Sequence, residues 1–213
     1  MYKNNQKTQY NECLICQKNL YNKPSIVHMI QSLPLCLECI HQLDIINKTI
    51  DFYHYPLTIL YYYNTFFQSL LYQYKGLYDY ALKDTFLCLF LEEFKEYYQD
   101  YIIVLAPSSL EDNQIRLFNP NEAIALTFSH NIFTGLYKKE KYKQSNLSYH
   151  ERLNVKEKIG IHNGDSLTNQ KVLIFDDVIT SGSTLHTCLS LVESYHPHQI
   201  ELFVLSTRNA QFL

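Results

Sequence analysis

The stretch KVLIFDDVITSGST, residues 171–184, decides the fold. An apolar run from Lys171 to Phe175 predicts a buried strand, and two carboxylates, Asp176 and Asp177, stand at its carboxyl end. A small polar turn follows and leads into a helix predicted over about 183–195, before a second strand over 200–206, IELFVLS. A strand, a helix and a strand in this order form a parallel β-α-β unit.

The turn after the two acids has the features of an anion site. Backbone N–H groups at a helix start, together with the helix dipole, attract a phosphate, and Gly182 allows a close backbone approach. The carboxylates would repel a bare phosphate, but they suit vicinal hydroxyls or a bridging Mg²⁺, and a phosphorylated sugar offers both. The turn is Thr180, Ser181, Gly182, Ser183 and Thr184.

Other interpretations of this stretch exist. No Lys-Ser/Thr follows the glycine as in a Walker A loop, and the chain has no G-x-G-x-x-G. An ordinary protein also starts and caps a helix with Asp, Ser, Thr and Gly, so a purely structural turn is the alternative.

Strands and helices alternate through the rest of the chain. Strands are predicted at 58–64, 101–107 and 132–137, and helices at 66–74, 79–98, after Asn119-Pro120 and at 148–158. This alternation predicts an α/β fold with a doubly wound, mostly parallel sheet.

Composition limits the classes of partner and location. The 213 residues carry a formal net charge of −3, so no global positive field recruits nucleic acid. No apolar run reaches membrane-span length, and the polar first twelve residues lack the order of a secretion signal, which predicts a cytoplasmic protein.

Four of the six cysteines form two C-x-x-C pairs. In a reducing compartment such pairs predict a tetrahedral zinc site, with reduced structural cysteines as the alternative. Residues 1–50 are too few to bury a core unaided, so we expect a zinc-binding module there and a second domain over 51–213. Cys88 and Cys188 are expected to be core residues, and the zinc ligands are Cys13, Cys16, Cys36 and Cys39.

The stretch VLIFDDVITSGST resembles the phosphoribosyl-pyrophosphate (PRPP) signature of type I phosphoribosyltransferases: four apolar residues, two acids, two apolar residues and T-S-G-x-T. The resemblance implies that Asp176 and Asp177 address the ribose hydroxyls and that residues 180–184 hold the 5′-phosphate. It also implies that Mg²⁺-pyrophosphate leaves C1 of the ribose and that a nitrogen nucleophile replaces it.

With the four-cysteine module in front, almost the whole chain resembles the ComF family of late competence proteins. The middle segments YQYKGLYDYAL, RLFNPNEAIAL and KQSNLSYHER follow in the family's order. The resemblance implies a role in uptake of transforming DNA, with single-stranded DNA and a helicase-like competence ATPase as partners.

Two positions depart from the family pattern. The family's V-P-V-P is here Val104-Leu105-Ala106-Pro107, and its R-G-F-N-Q is Arg116-Leu117-Phe118-Asn119-Pro120. Because these positions flank the expected pyrophosphate, PRPP binding is a firmer expectation than turnover. A nucleotide-salvage phosphoribosyltransferase and a PRPP-sensing regulator without chemistry are therefore the alternatives, and whether the chain is an enzyme stays open.

Basic and aromatic residues give further candidates. Arg116 and Arg152 suit a phosphate or pyrophosphate, or else a surface ion pair. The lysines at 138–143 form a solvated loop or contact nucleic acid, and Tyr61–Tyr63 pack in the core or stack on bases.

Overall fold

The structure is a computed structural model that describes residues 10–20, 32–139, 159–209 and 212. Its main feature is a six-stranded sheet of order β1-β2-β8-β7-β3-β4, and β5 and β6 form a separate two-stranded antiparallel ribbon. Only the β1/β2 pair of the large sheet is antiparallel, while its other four pairings are parallel. The strands are β1 Ile45–Phe52, β2 Tyr55–Tyr62, β3 Tyr101–Leu105, β4 Ile132–Phe133, β5 Leu136–Lys138, β6 Ile159–Ile161, β7 Lys171–Ile179 and β8 Gln199–Thr207.

Helices cover both faces of the large sheet, which confirms the predicted doubly wound, mostly parallel α/β architecture. One apolar cluster joins Leu173 and Phe203 of the sheet to Phe67, Leu70 and other helical residues. The second cluster lies on the opposite face and joins sheet residues to Leu185 and Cys188. The α-helices are α1 Leu37–Gln42, α2 Thr65–Gly76, α3 Leu91–Tyr97, α4 Leu110–Arg116, α5 Pro120–Ala125 and α6 Ser183–Glu193, with 3₁₀ turns at Tyr80–Thr85 and Gly164–Leu167.

The strand-helix-strand unit predicted from 171–206 is present as β7, α6 and β8. The predicted end of its first strand is wrong: β7 continues past both acids to Ile179 because the ladder with β8 continues, pairing Asp176 with Val204 and Ile179 with Thr207. Asp176 and Asp177 therefore lie among the last residues of β7, still at the carboxyl edge of the sheet.

The continuous helix predicted over 79–98 is also wrong. Residues Tyr80–Thr85 form a 3₁₀ turn, and α3 begins only at Leu91. The hydroxyl of Tyr61 donates to the carbonyl of Phe86 at 2.9 Å, so this oxygen is held by β2 rather than by a helix. Burial of Phe86 and Leu87 in the core requires the chain to turn inward here.

The N-terminal segment packs directly on the larger fold. Cys13 and Cys39 share an apolar cluster with residues of α2, and the Tyr10 hydroxyl donates to Asp84 at 3.1 Å. β1 begins at Ile45 and joins the large sheet through β2, so this strand spans the predicted boundary at residue 50, and the division into 1–50 and 51–213 stays a prediction. In the described ranges, no helix combines the length and apolarity that crossing a bilayer requires.

Candidate functional site

The site is built where β7 turns into α6. After Ile179, three residues make the bend and α6 begins at Ser183 with Gly182 as its N-cap. Gly182 has φ +78° and ψ −1°, a left-handed backbone, and a Cβ here would lie 3.0 Å from the ring of Phe52. Both the conformation and the space favour glycine.

The turn presents hydroxyls and helix-start N–H groups. Gly182, the N-cap residue, supplies no side-chain cap to α6, although the backbone N–H of Ser183 donates to Oγ of Ser181 at 3.4 Å. The first-turn N–H groups of a helix have no acceptor within the helix. Oγ of Ser181 and Ser183 are 3.0 Å apart, and both residues are exposed. A small pocket here is lined by Asp176 and by residues Thr180 to Leu185, so the predicted phosphate turn and the first acid face one space.

Each acid has a partner from a different helix. Oδ1 of Asp176 accepts from Nδ2 of Asn121 in α5 at 3.2 Å and from the backbone N–H of Asp177 at 2.9 Å. Oδ2 of Asp177 forms an ion pair with Nζ of Lys75, at the end of α2. Three elements separated in sequence thus meet at the pair.

The pKa values of the two carboxylates are shifted in opposite directions. Burial and the neighbouring charge of Asp177 raise the pKa of Asp176 from 3.8 to about 7. Burial acts on Asp177 in the same direction, but the charge and hydrogen bond of Lys75 outweigh it and lower the pKa of Asp177. Near neutral pH the pair therefore holds one firm anion and one carboxyl that can carry a proton.

The segment after β3 borders the acids. Leu105 pairs with Phe175, and the backbone N–H of Ala106 donates to the Phe175 carbonyl at 2.9 Å. Leu105 is itself buried, so the segment that departs from V-P-V-P lies directly beside Asp176.

Arg116 does not contact the acids or the turn within the described residues. Its Nη1 donates to Oδ1 of Asn113 at 3.2 Å, and Nη2 lies 4.0 Å from Asp112. Its Nε is buried and has no hydrogen-bond partner among those residues. Arg116 lies near enough to Tyr74 to counteract part of the rise in the pKa of that hydroxyl, and its predicted phosphate contact stays a prediction. Arg152, Lys141, Lys143 and the helix predicted over 148–158 lie outside the described residues.

Leu117, which stands where the resemblance has glycine, is expected to be a weak point. Its φ of 64° and ψ of 15° are left-handed, which is unfavourable for a leucine. Because its side chain is 90% exposed, little packing offsets this cost. Leu117→Gly should stabilise the chain by roughly 1 kcal/mol, measured by urea unfolding. The matched control is Ile115→Gly, at a 66% exposed residue inside the same helix, which should destabilise the chain by roughly 1 kcal/mol; equal effects of the two would contradict the prediction.

The four predicted metal ligands come together. The Sγ atoms of all four cysteines lie within 4.8 Å of one another and could bind a metal ion such as zinc, and Sγ of Cys16 and Cys36 are 3.6 Å apart. Burial opposes ionisation of Cys13, but backbone N–H groups of Cys16, Cys36 and Ile15 lower its pKa. A donor set of four sulfurs fits Zn²⁺.

Sequence reasoning missed Lys75 and Asn121. Lys75 lies in the segment YQYKGLYDYAL, which supported the resemblance through its place in the order of segments and assigned no role to Lys75. The signal for Asn121 was weak, because an Asn that follows Asn-Pro is typical of a helix start. The structure has a helix start here, with Asn119 as the N-cap of α5.

Comparison with known proteins finds a family match over the part of the chain that contains the acids and the turn. A family model described as "Phosphoribosyl transferase domain" matches residues 118–212, which include the acids, the turn, α6 and β8. Residues 118–212, which are less than half of the chain, are thus similar to a phosphoribosyl transferase domain.

A curated relative and two solved structures give further detail. The "Competence protein ComFC" of Streptococcus pneumoniae is 27% identical over 143 residues, 67% of this chain and 64% of that protein, so the match spans less than two thirds of the relative. A purine phosphoribosyltransferase from Pyrococcus horikoshii is similar over 60% of this chain and 84% of its own, with 20% identity and a TM-score of 0.39. A hypoxanthine phosphoribosyltransferase from Staphylococcus aureus is similar over 66% of this chain and 64% of its own, with 13% identity and a TM-score of 0.37.

The phosphoribosyl transferase domain, the ComFC relative and the four-cysteine cluster together fit a ComF-family protein. The sequence resemblance is confirmed at this level.

Proposed function

We propose that this chain is a ComF-like competence protein that binds PRPP at the acid pair and the 180–184 turn. It acts in the cytoplasm on incoming DNA during natural transformation, with single-stranded DNA and a helicase-like competence ATPase as partners. The name of the ComFC relative supports the competence role.

One observation carries the ligand assignment: Asp176 and the turn residues Thr180 to Thr184 line the same pocket. A ligand that satisfies both ends must offer hydroxyls to a carboxylate and an anion to a helix start. A pentose 5-phosphate has these groups a few bonds apart. The loop holds the 5′-phosphate, and Asp176 and Asp177 accept hydrogen bonds from the ribose hydroxyls.

The remaining groups follow from this placement. Mg²⁺ accompanies the pyrophosphate, which lies toward Leu105 and Arg116. Arg152 is a second candidate for this anion. Zn²⁺ bound by Cys13, Cys16, Cys36 and Cys39 holds the N-terminal module. A site of this kind acts chiefly by positioning the reactants and stabilising charge.

The test is a calorimetric titration of the purified chain with PRPP and Mg²⁺, followed by a search for released pyrophosphate with a panel of bases. We expect micromolar-range binding, of roughly −8 kcal/mol. The double variant Asp176→Asn with Asp177→Asn should weaken binding at least about 100-fold, since both hydroxyl acceptors lose their charge. Asp100→Asn, an exposed acid at the far end of the strands, is the matched control.

The outcomes separate the alternatives. PRPP binding without turnover supports the proposal, whereas efficient turnover with one base would reassign the chain to nucleotide salvage. Salt-dependent binding to single-stranded DNA tests the partner, since phosphate contacts weaken as counterions compete. A chain that binds neither PRPP nor single-stranded DNA, from a strain that still transforms normally when the gene is deleted, would refute the proposal.

A further inference from the structure

Lys75 is the charged residue placed most directly against the acid pair. Its side chain is 27% exposed and that of Asp177 is 15% exposed, so their ion pair is largely shielded from water. Among the described residues, no other lysine or arginine forms an ion pair with either carboxylate. The charge balance of the site therefore depends on this one side chain.

The fold holds Lys75 firmly. Asn64 caps α2 by accepting from the N–H of Phe67 at 2.8 Å, and the same side chain donates to the Gln42 carbonyl at 3.0 Å. Next to Lys75, the hydroxyl of Tyr74 donates to the Pro120 carbonyl at 2.8 Å. The last turn of α2 is thus fixed against α5, the helix that supplies Asn121 to Asp176.

Asn121 and Lys75 satisfy their acids differently. Asn121 is a neutral amide, 4% exposed, that orients Asp176 without changing the charge of the site. Lys75 removes a whole negative charge. Without it, two adjacent acids at a partly buried edge would face a ligand that also carries negative charge, and in such an environment like charges repel strongly.

We propose that Lys75 is a ligand-positioning residue: its ammonium group neutralises Asp177 and thereby lets an anionic pentose phosphate approach the two carboxylates without help from a divalent cation. This inference rests on the proposed function, because it concerns the same site and the same ligand class. It assigns to α2 the neutralisation of Asp177, for which neither the acid pair nor the turn provides a positive charge.

Ribose 5-phosphate is the suitable probe because it has the hydroxyls and the 5′-phosphate but no pyrophosphate to bring its own metal ion. Affinity is measured by calorimetry in excess chelator and again in excess Mg²⁺. The variants are Lys75→Met, which keeps the length and removes the charge, and Lys75→Arg, which keeps the charge. Lys95→Met is the control, since Lys95 pairs with Glu92 on the exposed face of α3.

In chelator, Lys75→Met should weaken binding at least about tenfold, while Lys75→Arg and Lys95→Met stay within about threefold of the unaltered chain. Excess Mg²⁺ should restore most of the loss in Lys75→Met, because the ion then supplies the missing positive charge. Circular dichroism melting checks that each variant is folded.

Each other result is decisive. If Lys75→Met binds as tightly as the unaltered chain in chelator, the inference is overturned and the proposed function stands. If its loss is the same with and without Mg²⁺, Lys75 acts through packing and the inference is again overturned. If the unaltered chain binds ribose 5-phosphate and PRPP under neither condition, the proposed function itself fails and the inference falls with it.

Discussion

Replacing Cys13 by serine is expected to abolish metal binding and to lower the thermal midpoint by about 10 °C. Cys13 and Cys39 are 1% and 3% exposed, so the ligand being removed lies inside the fold rather than on a loose arm. Free energy of metal binding in such sites is free energy of folding, and loss of one thiolate should cost about 4 kcal/mol. For a chain of this length that corresponds to about 10 °C.

The effect should extend beyond the N-terminal segment. The cysteines share their apolar cluster with Phe67 of α2, and Tyr10 is hydrogen-bonded to Asp84 of the 3₁₀ turn. Release of residues 10–20 and 32–44 would therefore expose part of the core that supports α2 and, at its end, Lys75. We expect the variant to weaken ligand binding as well as to melt earlier.

Metal analysis and melting in chelator check this prediction. The unaltered chain should contain about one zinc per chain and lose stability in chelator, whereas Cys13→Ser should contain none and be insensitive to chelator. The matched control is Cys188→Ala, a buried cysteine of the opposite core cluster, which should keep its metal. A metal-free unaltered chain with the same midpoint in chelator would contradict the zinc site.

The features predicted from sequence were those encoded within a short span. The apolar run, Gly182 and the following amphipathic stretch specify β7, the turn and α6 because strand length, left-handed backbone and helix period are local properties. The C-x-x-C spacing likewise specifies a four-sulfur cluster without knowledge of the rest of the fold.

The features that were missed depend on the order of strands in the sheet. Lys75 and Asp177 are 102 positions apart, and Asn121 and Asp176 are 55 apart, so their meeting follows from how α2 and α5 pack over β7. The exact end of β7 depends on its partner β8, and the break before α3 depends on a hydroxyl of β2. No pattern within a single segment carries this information.

Asp176→Asn is expected to stabilise the chain at alkaline pH while removing its ligand binding. The native pKa of Asp176 is about 7, compared with an ordinary value of 3.8. At a pH between these two pKa values, the folded chain keeps a proton on Asp176 that the unfolded chain has lost. The stability contributed by this residue is therefore present at acid pH and is lost as the pH rises toward 7. Asparagine is neutral at every pH and has no such loss.

The size of the effect follows from the same pKa difference. The whole pKa difference of Asp176 corresponds to about 4 kcal/mol in the free energy of unfolding. Partial exposure of this side chain to water reduces the expected gain in stability to about 2 kcal/mol. Urea unfolding at about pH 8 should therefore show Asp176→Asn more stable than the unaltered chain, with the difference disappearing near pH 4. Exposed Asp100→Asn should change stability little at either pH. If Asp176→Asn were equally stable or less stable at pH 8, the ionised Asp176 carboxylate would not destabilise the folded chain, and the prediction would be wrong.

A gain in stability combined with lost affinity for ribose 5-phosphate would instead indicate that the chain retains a destabilising charge at Asp176 because the ligand requires it.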